Sequence, residues 1–386
     1  MSTAWLRGNA LTLLENGTEF FPALLAAIDA ARHEVFLETY IFANDDIGQS
    51  IAAALVRAAG RDVTVRLLVD GFGGREFVAE LLTPLTEAGV TVLIYRREVG
   101  TLSLRRRRLR RLHRKLAVID GRVAFVGGIN IISDYEAPSL DAPRHDYAVR
   151  VEGPLLGPIH AGVRHVWELV AWASFRQRLR LPASPPVTPE PCGDVEAAFL
   201  VRDNIRHRRD IEDAYLLGIA GARREIILAN AYFLPGRRFR HALLDASRRG
   251  VMITLLVQGL ADHPLQHRAT RALYGQLLAA GLRIVEYHRS YLHAKVAVID
   301  GRWATVGSSN IDPFSLLLAR EANVVVRDAG FAERLRACLI RAIHEGGQEI
   351  SAASWQRGPR LQRLLNWAAY GLVRLMIGLA GYGNHH

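Results

Sequence analysis

The chain writes one polar pattern twice. His113-Arg114-Lys115 leads through an apolar run to Asp120, and Gly127-Gly128-Ile129-Asn130 follows. His293-Ala294-Lys295 leads in the same way to Asp300, and Gly307-Ser308-Ser309-Asn310 follows. The spacing H-x-K-x-x-x-x-D, then six residues, then G-[GS]-x-N, is identical in both copies. A chain that repeats a chemically capable cluster at fixed spacing is expected to fold as two similar halves around one shared site.

The repeat is wider than the cluster. Glu34 to Glu38 answers Glu225 to Ala229, Val63 to Val69 answers Val251 to Val257, and Gly89 to Val92 answers Gly281 to Ile284. Each apolar run follows a helical stretch such as Phe20 to Ala31 or Arg238 to Arg249. Helices alternating with buried strands predict an α/β fold, each half a mixed, mostly parallel sheet flanked by helices. Asp120-Gly121 and Asp300-Gly301 lie between β-rich runs, the signature of a tight hairpin. With Asp-Gly as a two-residue turn, Ile119 faces Arg122, Lys115 faces Val126, His113 faces Gly128, and Asn130 lies just beyond. Cross-strand partners share a face, so His113, Lys115 and Asn130 are expected to project together. Gly128 then leaves space for a ligand beside His113. The second copy groups His293, Lys295 and Asn310, with Ser308 opposite His293.

Such a set suits one kind of chemistry. One imidazole can act as nucleophile while the other works as general acid. Two Lys and two Asn supply cationic and amide donors for an anion whose charge is spread over several oxygens, as in a phosphodiester. A single H-x-K would read as a solvated strand edge; two matched copies with matched Gly and Asn do not. Asp120 and Asp300 are turn residues first and chemical participants second. They complete a candidate catalytic set of His113, Lys115, Asp120, His293, Lys295 and Asp300. Asn130, Asn310, Gly128 and Ser308 are the candidate phosphate-binding residues. No Cys or carboxylate cluster accompanies the histidines, so neither a metal nor another cofactor is expected.

Composition narrows the partners. The chain has 386 residues, enough for two domains with cores of their own, and half of them are hydrophobic, which excludes a disordered chain. The net charge of +11 favours an anionic partner, nucleic acid or acidic lipid. Two cysteines, Cys192 and Cys338, argue against a disulfide scaffold and fit a reducing compartment. The residues Met1 to Trp5 carry no signal-peptide pattern, and no apolar run reaches the roughly 20 residues of a spanning helix.

The paired motifs resemble those of the phospholipase D superfamily, from about Trp5 to about Ile340. Finer features resemble bacterial cardiolipin synthases, the B-type most closely: Gly8-Asn9 through Leu13-Leu14-Glu15-Asn16-Gly17, Glu38-Thr39-Tyr40-Ile41-Phe42 with Asp46, and Asp146-Tyr147-Ala148-Val149-Arg150-Val151-Glu152-Gly153-Pro154. The resemblance implies two similar domains with the site at their junction. It implies double displacement through a phosphohistidine, with His113 as nucleophile because family members commonly use the first copy. Asp146 and Glu321, which precede matching segments in the two halves, are the candidates for orienting the histidines. With phosphatidylglycerol as donor and acceptor, the products would be cardiolipin and glycerol. Water or another alcohol as acceptor, a nuclease, and a non-catalytic binder of anionic lipid are the alternatives. The expected partners are anionic phospholipid and a membrane surface, not nucleic acid, and the expected place is the cytoplasmic face of a bacterial cell membrane, peripherally attached.

The division expected from sequence is a first domain over 1–181, a Pro-rich linker over 182–191, a second domain over 192–350 and a tail over 351–386. The first half carries an insertion before its histidine with Arg105, Arg106, Arg107, Arg108, Arg110 and Arg111, read as a basic lip for anionic headgroups. In the tail, Leu361, Leu364, Leu365, Ala368, Leu372, Leu375 and Met376 recur at helical spacing among arginines. That pattern suits a helix lying on a membrane or one packed on the second domain.

Overall fold

A computed structural model describes residues 4–96, 110–135, 142–176, 179–181, 187, 189–203, 206–261, 263–312 and 319–377. Most of the arginine run, part of the Pro-rich stretch and the last residues of the tail lie outside them. The first half contributes β1 (Leu6–Glu15), β2 (Glu34–Thr39), β3 (Thr64–Asp70), β4 (Thr91–Tyr95), β5 (Arg111–Leu112), β6 (Lys115–Ile119), β7 (Val123–Gly127) and β8 (Tyr147–Glu152). The second contributes β9 (Val195–Arg202), β10 (Glu225–Asn230), β11 (Met252–Gln258), β12 (Arg283–Tyr287), β13 (Lys295–Ile299), β14 (Trp303–Gly307), β15 (Ala319–Arg327) and β16 (Gly347–Glu349).

These strands join in one continuous sheet, ordered β16-β12-β11-β10-β13-β14-β15-β9-β1-β8-β7-β6-β2-β3-β4, with β5 paired to β15 off the path. The order reads alike outward from the β1–β9 seam, as a two-fold repeat requires. The sheet is mixed, but its balance differs from the mostly parallel one expected. Within each half only the outer strands run parallel, β2-β3-β4 and β10-β11-β12. Helices such as Asp46–Ala59 between β2 and β3 make those crossovers. The hairpin and the returning strands β8 and β15 fill the middle with antiparallel pairs.

The strands are rich in Val, Ile and Leu and are covered on both faces. Helices Leu156–Ala173 and Ala329–Gly346 pack in a shared cluster that takes in Trp167, Leu292, Val324 and Leu335 from both halves. Two further clusters lie one in each half. The core therefore crosses the seam, and the two halves are held by continuous hydrogen bonding and common apolar packing.

The hairpin register is one residue away from the expected one. Ile119 pairs with Val123, not Arg122, and Lys115 with Gly127, not Val126. Asp120 and Gly121 do form the turn, both at positive φ (53° and 60°), and the Arg122 N–H donates to the Ile119 carbonyl at 2.9 Å. Arg122 is spent closing the turn, so the ladder begins one residue later. Asp300 and Gly301 repeat this (54° and 63°), with Ile299 paired to Trp303.

The tail packs along the second half. Helix Arg360–Ile377 lies against helix Pro264–Ala272 and buries Asn366, Ala369 and Val373. Its leucines face outward. No helix among the described residues is long and apolar enough to cross a membrane.

Candidate active site

Two short strand contacts across the seam build the site. The chain entering His113 lies beside β15, where β5 pairs in parallel with Ala319 and Arg320, and the His113 N–H donates to the Arg320 carbonyl at 3.0 Å. The next residue is Glu321. In the mirror position the His293 N–H donates to the His145 carbonyl at 2.8 Å, and the next residue is Asp146. Each histidine is thereby set against the acid of the opposite half. His113 Nδ1 lies 3.0 and 3.1 Å from the two Glu321 carboxylate oxygens. His293 Nδ1 lies 2.6 Å from Asp146 Oδ2. A buried carboxylate at Nδ1 fixes the N–H on that nitrogen and leaves Nε2 as the reactive atom.

The acids are fixed in turn. Ser308 Oγ donates to Glu321 Oε2 at 2.6 Å and accepts the Ala322 N–H at 3.0 Å. Ser308 is therefore occupied with the acid and is not the phosphate ligand it was expected to be. Its counterpart Gly128 has a matching reason: a Cβ there would collide with the Asp146 carboxylate. The missing side chain makes room for the acid, not for a ligand. Asn16, with φ of 59°, holds the Asp146 backbone through both its N–H and its side-chain oxygen, at 2.8 and 3.1 Å.

The charges of both lysines act on both histidines. Lys115 Nζ donates to the His113 carbonyl at 2.7 Å, and Lys295 Nζ donates to the His293 carbonyl and lies 3.6 Å from Asp146 Oδ2. Both are buried. Burial pushes Lys115 down to about 7 against the pull of Glu321, and Lys295 down to about 8 against the pull of Asp146. Burial also lowers both histidines; for His293 the charges of Lys295, Arg144 and Lys115 add to it, and for His113 the Glu321 carboxylate opposes it. Burial raises Asp146, and Lys295 opposes the rise.

Not every expected residue joins the cluster. The Asp120 carboxylate accepts the N–H groups of Arg32, His33 and Glu34 at 2.8 to 2.9 Å. Asp300 does the same for Arg223, Arg224 and Glu225 at 2.8 to 2.9 Å. These aspartates close the far end of the hairpin, about 16 Å along the strand from the lysines at ~3.3 Å per residue. They belong to the fold, and their expected catalytic part is corrected accordingly. Asn130 is half engaged: its Oδ1 accepts the Ile41 N–H at 3.2 Å, which leaves its amide N–H groups for a substrate oxygen.

Two positioning residues escaped the sequence reading. Asp70, at the end of β3, accepts the N–H groups of Leu112, Phe72 and Gly73 at 2.8 to 3.1 Å. Gln258, at the end of β11, accepts the Leu292 N–H at 3.1 Å. Each pins the residue before a histidine. The aligned runs stopped one residue short, at Val69 and Val257; one step further, a polar side chain ending an apolar strand was the signal. Tyr40 stands beside His113. Its ring stacks edge-on to His113 at 5.0 Å, with Lys115 Nζ 5.5 Å from its centre. Ala231 takes its place in the second half, so the two histidines have unequal walls.

Comparisons with known proteins point to one family. The family described as "Cardiolipin synthase, PLD-like domain" matches residues 24–141 and 216–342. The chain is 42% identical to cardiolipin synthase B of Escherichia coli K12 over 350 residues, covering 91% of this chain and 84% of that protein. It is 29% identical to cardiolipin synthase A of Pectobacterium atrosepticum over 375 residues, 95% of this chain and 75% of that one. Among solved structures, phosphatidylserine synthase of Haemophilus influenzae superposes with a TM-score of 0.73 at 13% identity, covering 97% of both chains. That likeness is one of fold.

Proposed function

Since the chain belongs to the cardiolipin synthase family with phospholipase D-like domains, we propose that it joins two phosphatidylglycerol molecules into cardiolipin and releases glycerol. It is a phosphatidyltransferase, an enzyme of phospholipid synthesis. The observation that carries the mechanism is the crossed pairing: two imidazoles with Nδ1 held by acids, Nε2 left for substrate, and a buried lysine on the backbone carbonyl of each histidine.

His113 Nε2 attacks the phosphorus of the first lipid. The P–N bond forms as the P–O bond to glycerol breaks, and His293 gives its proton to the departing oxygen. A hydroxyl of the second lipid then loses its proton to His293, its oxygen attacks phosphorus, and the P–N bond breaks. Lys115 and Lys295 hold the non-bridging oxygens, with amide N–H groups of Asn130 and Asn310 beside them. An arriving phosphodiester favours the protonated, cationic forms of the buried lysines and histidines, so binding and proton uptake are linked. Glu321 and Asp146 keep the imidazoles in the reactive tautomer and balance the imidazolium when it forms. The enzyme meets its lipids as a peripheral protein on the cytoplasmic face of the membrane.

The test is direct. Pure protein incubated with vesicles of labelled phosphatidylglycerol should yield labelled cardiolipin and free glycerol. Phosphatidic acid as the main labelled product would make it a hydrolase.

A further inference from the structure

The tail closes over a pocket that contains none of the residues of the histidine cluster. A cavity of about 130 Å³ opens where helix Arg360–Ile377 meets helices Pro264–Ala272 and Ala352–Arg357; Arg271, Trp355, Gln362, Arg363 and Asn366 line it. That is about ten times the space one water needs. Asn366 is 1% exposed, yet its Nδ2 has no hydrogen-bond partner. A buried amide N–H without an acceptor is a steady cost to the fold, which a Leu at this place would avoid. Its presence points to an acceptor that arrives from outside.

The surroundings say what kind. The Arg271 guanidinium lies over the rings of Trp355 and Tyr274, at 5.5 and 5.9 Å, with Glu286 at 3.6 Å. Glu286 offsets part of that charge. Arg363 forms no ion pair among the described residues, and from Ile350 to the last residue the chain has no Asp or Glu. The pocket therefore offers an amide and guanidinium donors with excess positive charge, which matches a phosphate. On the outer side of the same helix Leu361, Leu364, Leu365, Leu372, Leu375 and Met376 form an apolar stripe, 44 to 67% exposed. Trp367 and Tyr370 stand beside it, their rings 5.5 Å apart.

We propose that this pocket binds the phosphodiester headgroup of an anionic phospholipid molecule other than the one held at the histidines, while the leucine stripe lies in the acyl layer. Asn366 and Arg363 hold the phosphate oxygens, and Arg271 adds charge from the pocket wall. A headgroup anchor and an apolar face together supply the two signals that stable peripheral attachment requires. The proposal leans on the phosphatidyltransferase reading only in taking a lipid as the phosphate source.

The experiment compares wild type with Asn366→Asp, Arg363→Glu and Arg363→Lys in vesicle flotation, melting temperature and turnover of a soluble short-chain phosphatidylglycerol. Asn366→Asp and Arg363→Glu should weaken binding to phosphatidylglycerol vesicles by about fivefold or more, roughly what one lost basic contact is worth. Arg363→Lys should bind as wild type, phosphatidylcholine vesicles should bind weakly throughout, and short-chain turnover should be unchanged. Wild-type vesicle binding by both charge variants would overturn the site. Melting raised by inorganic phosphate in wild type but not in Asn366→Asp would assign the pocket to free phosphate instead. A lipid-free dimer dissolved by Leu364→Glu, with vesicle binding intact, would give the stripe to a second copy of the chain. Absent short-chain turnover in wild type would sink the catalytic reading and leave this one standing. Arg363 sits at the rim, so its variants decide the matter even if Asn366→Asp fails to fold.

Discussion

Glu321 belongs to the second half of the chain, yet its carboxylate holds His113 of the first, 3.0 Å from Nδ1. Asp146 returns the exchange at His293. Neither half supplies both members of either His–acid pair at the site, so the unit of catalysis is the whole sheet.

The exchange assigns a partner to each defect. Glu321→Gln should behave like damage to His113, and Asp146→Asn like damage to His293. Each should lower kcat by about 100- to 10 000-fold, the usual worth of a positioned proton-transfer group. A substrate with a good leaving group needs little protonation. It should restore the first half-reaction to Asp146→Asn but not to Glu321→Gln. Rescue of Glu321→Gln alone would reverse the roles of the two histidines.

Trapping the intermediate locates the nucleophile. Rapid acid quench with lipid labelled at phosphorus should leave the label on His113, and His113→Ala should abolish both label and turnover. His293→Ala should still acquire label from an activated substrate. Label recovered on His293 would move the nucleophile to the second half.

Turnover should fall on the alkaline side sooner than lysine chemistry ordinarily allows. A lysine is charged below its pKa, and burial places Lys115 at about 7 and Lys295 at about 8. The free enzyme therefore loses phosphate-binding charge as pH rises through that window, and kcat/KM, which reports the free enzyme, should decline there. Lys115→Arg keeps its charge at every pH and should shift the decline towards about 8. A wild-type profile level to pH 10 would count against buried, titrating lysines.

Asp120 should matter to stability and little to chemistry. Its carboxylate receives three backbone N–H groups, which hold its pKa below the ordinary range although burial pulls the other way. A group with a depressed folded pKa stabilises above its unfolded pKa and loses that contribution as pH falls through the folded one. Asp120→Ala should cost about 1 to 3 kcal/mol near neutral pH and progressively less in acid. The folded fraction should keep its kcat/KM. Lost activity with an unchanged melting temperature would restore Asp120 to the reaction.

Much of this was legible in the residues. The doubled H-x-K spacing announced two halves, and matching segments after Asp146 and Glu321 picked out the acids. The crossing was not legible, because no local pattern near His113 distinguishes an acid 33 residues on from one 208 residues on. It depends on which strand ends meet across the seam. The register slipped by one because Arg122 closes the turn, a backbone matter that side-chain alternation does not report. Gly128 was misread for a related reason: its empty side is filled by Asp146, which comes from another strand. The tail pattern was ambiguous because the helix is apolar on two sides. Val373 and Ala369 pack inward while Leu364 and Leu375 face out, and sequence periodicity alone gives no direction.

The 208 residues between His113 and Glu321 also set a schedule. At ~5 to 20 residues per second a ribosome takes roughly 10 to 40 s to add them. Throughout that interval the emerging first half has its imidazole but not the carboxylate that holds it in the reactive tautomer. Proteolytic fragments and prematurely terminated chains share the same condition. His113 thus gains the carboxylate that orients it only once the strand carrying Glu321 has been made and has docked across the seam.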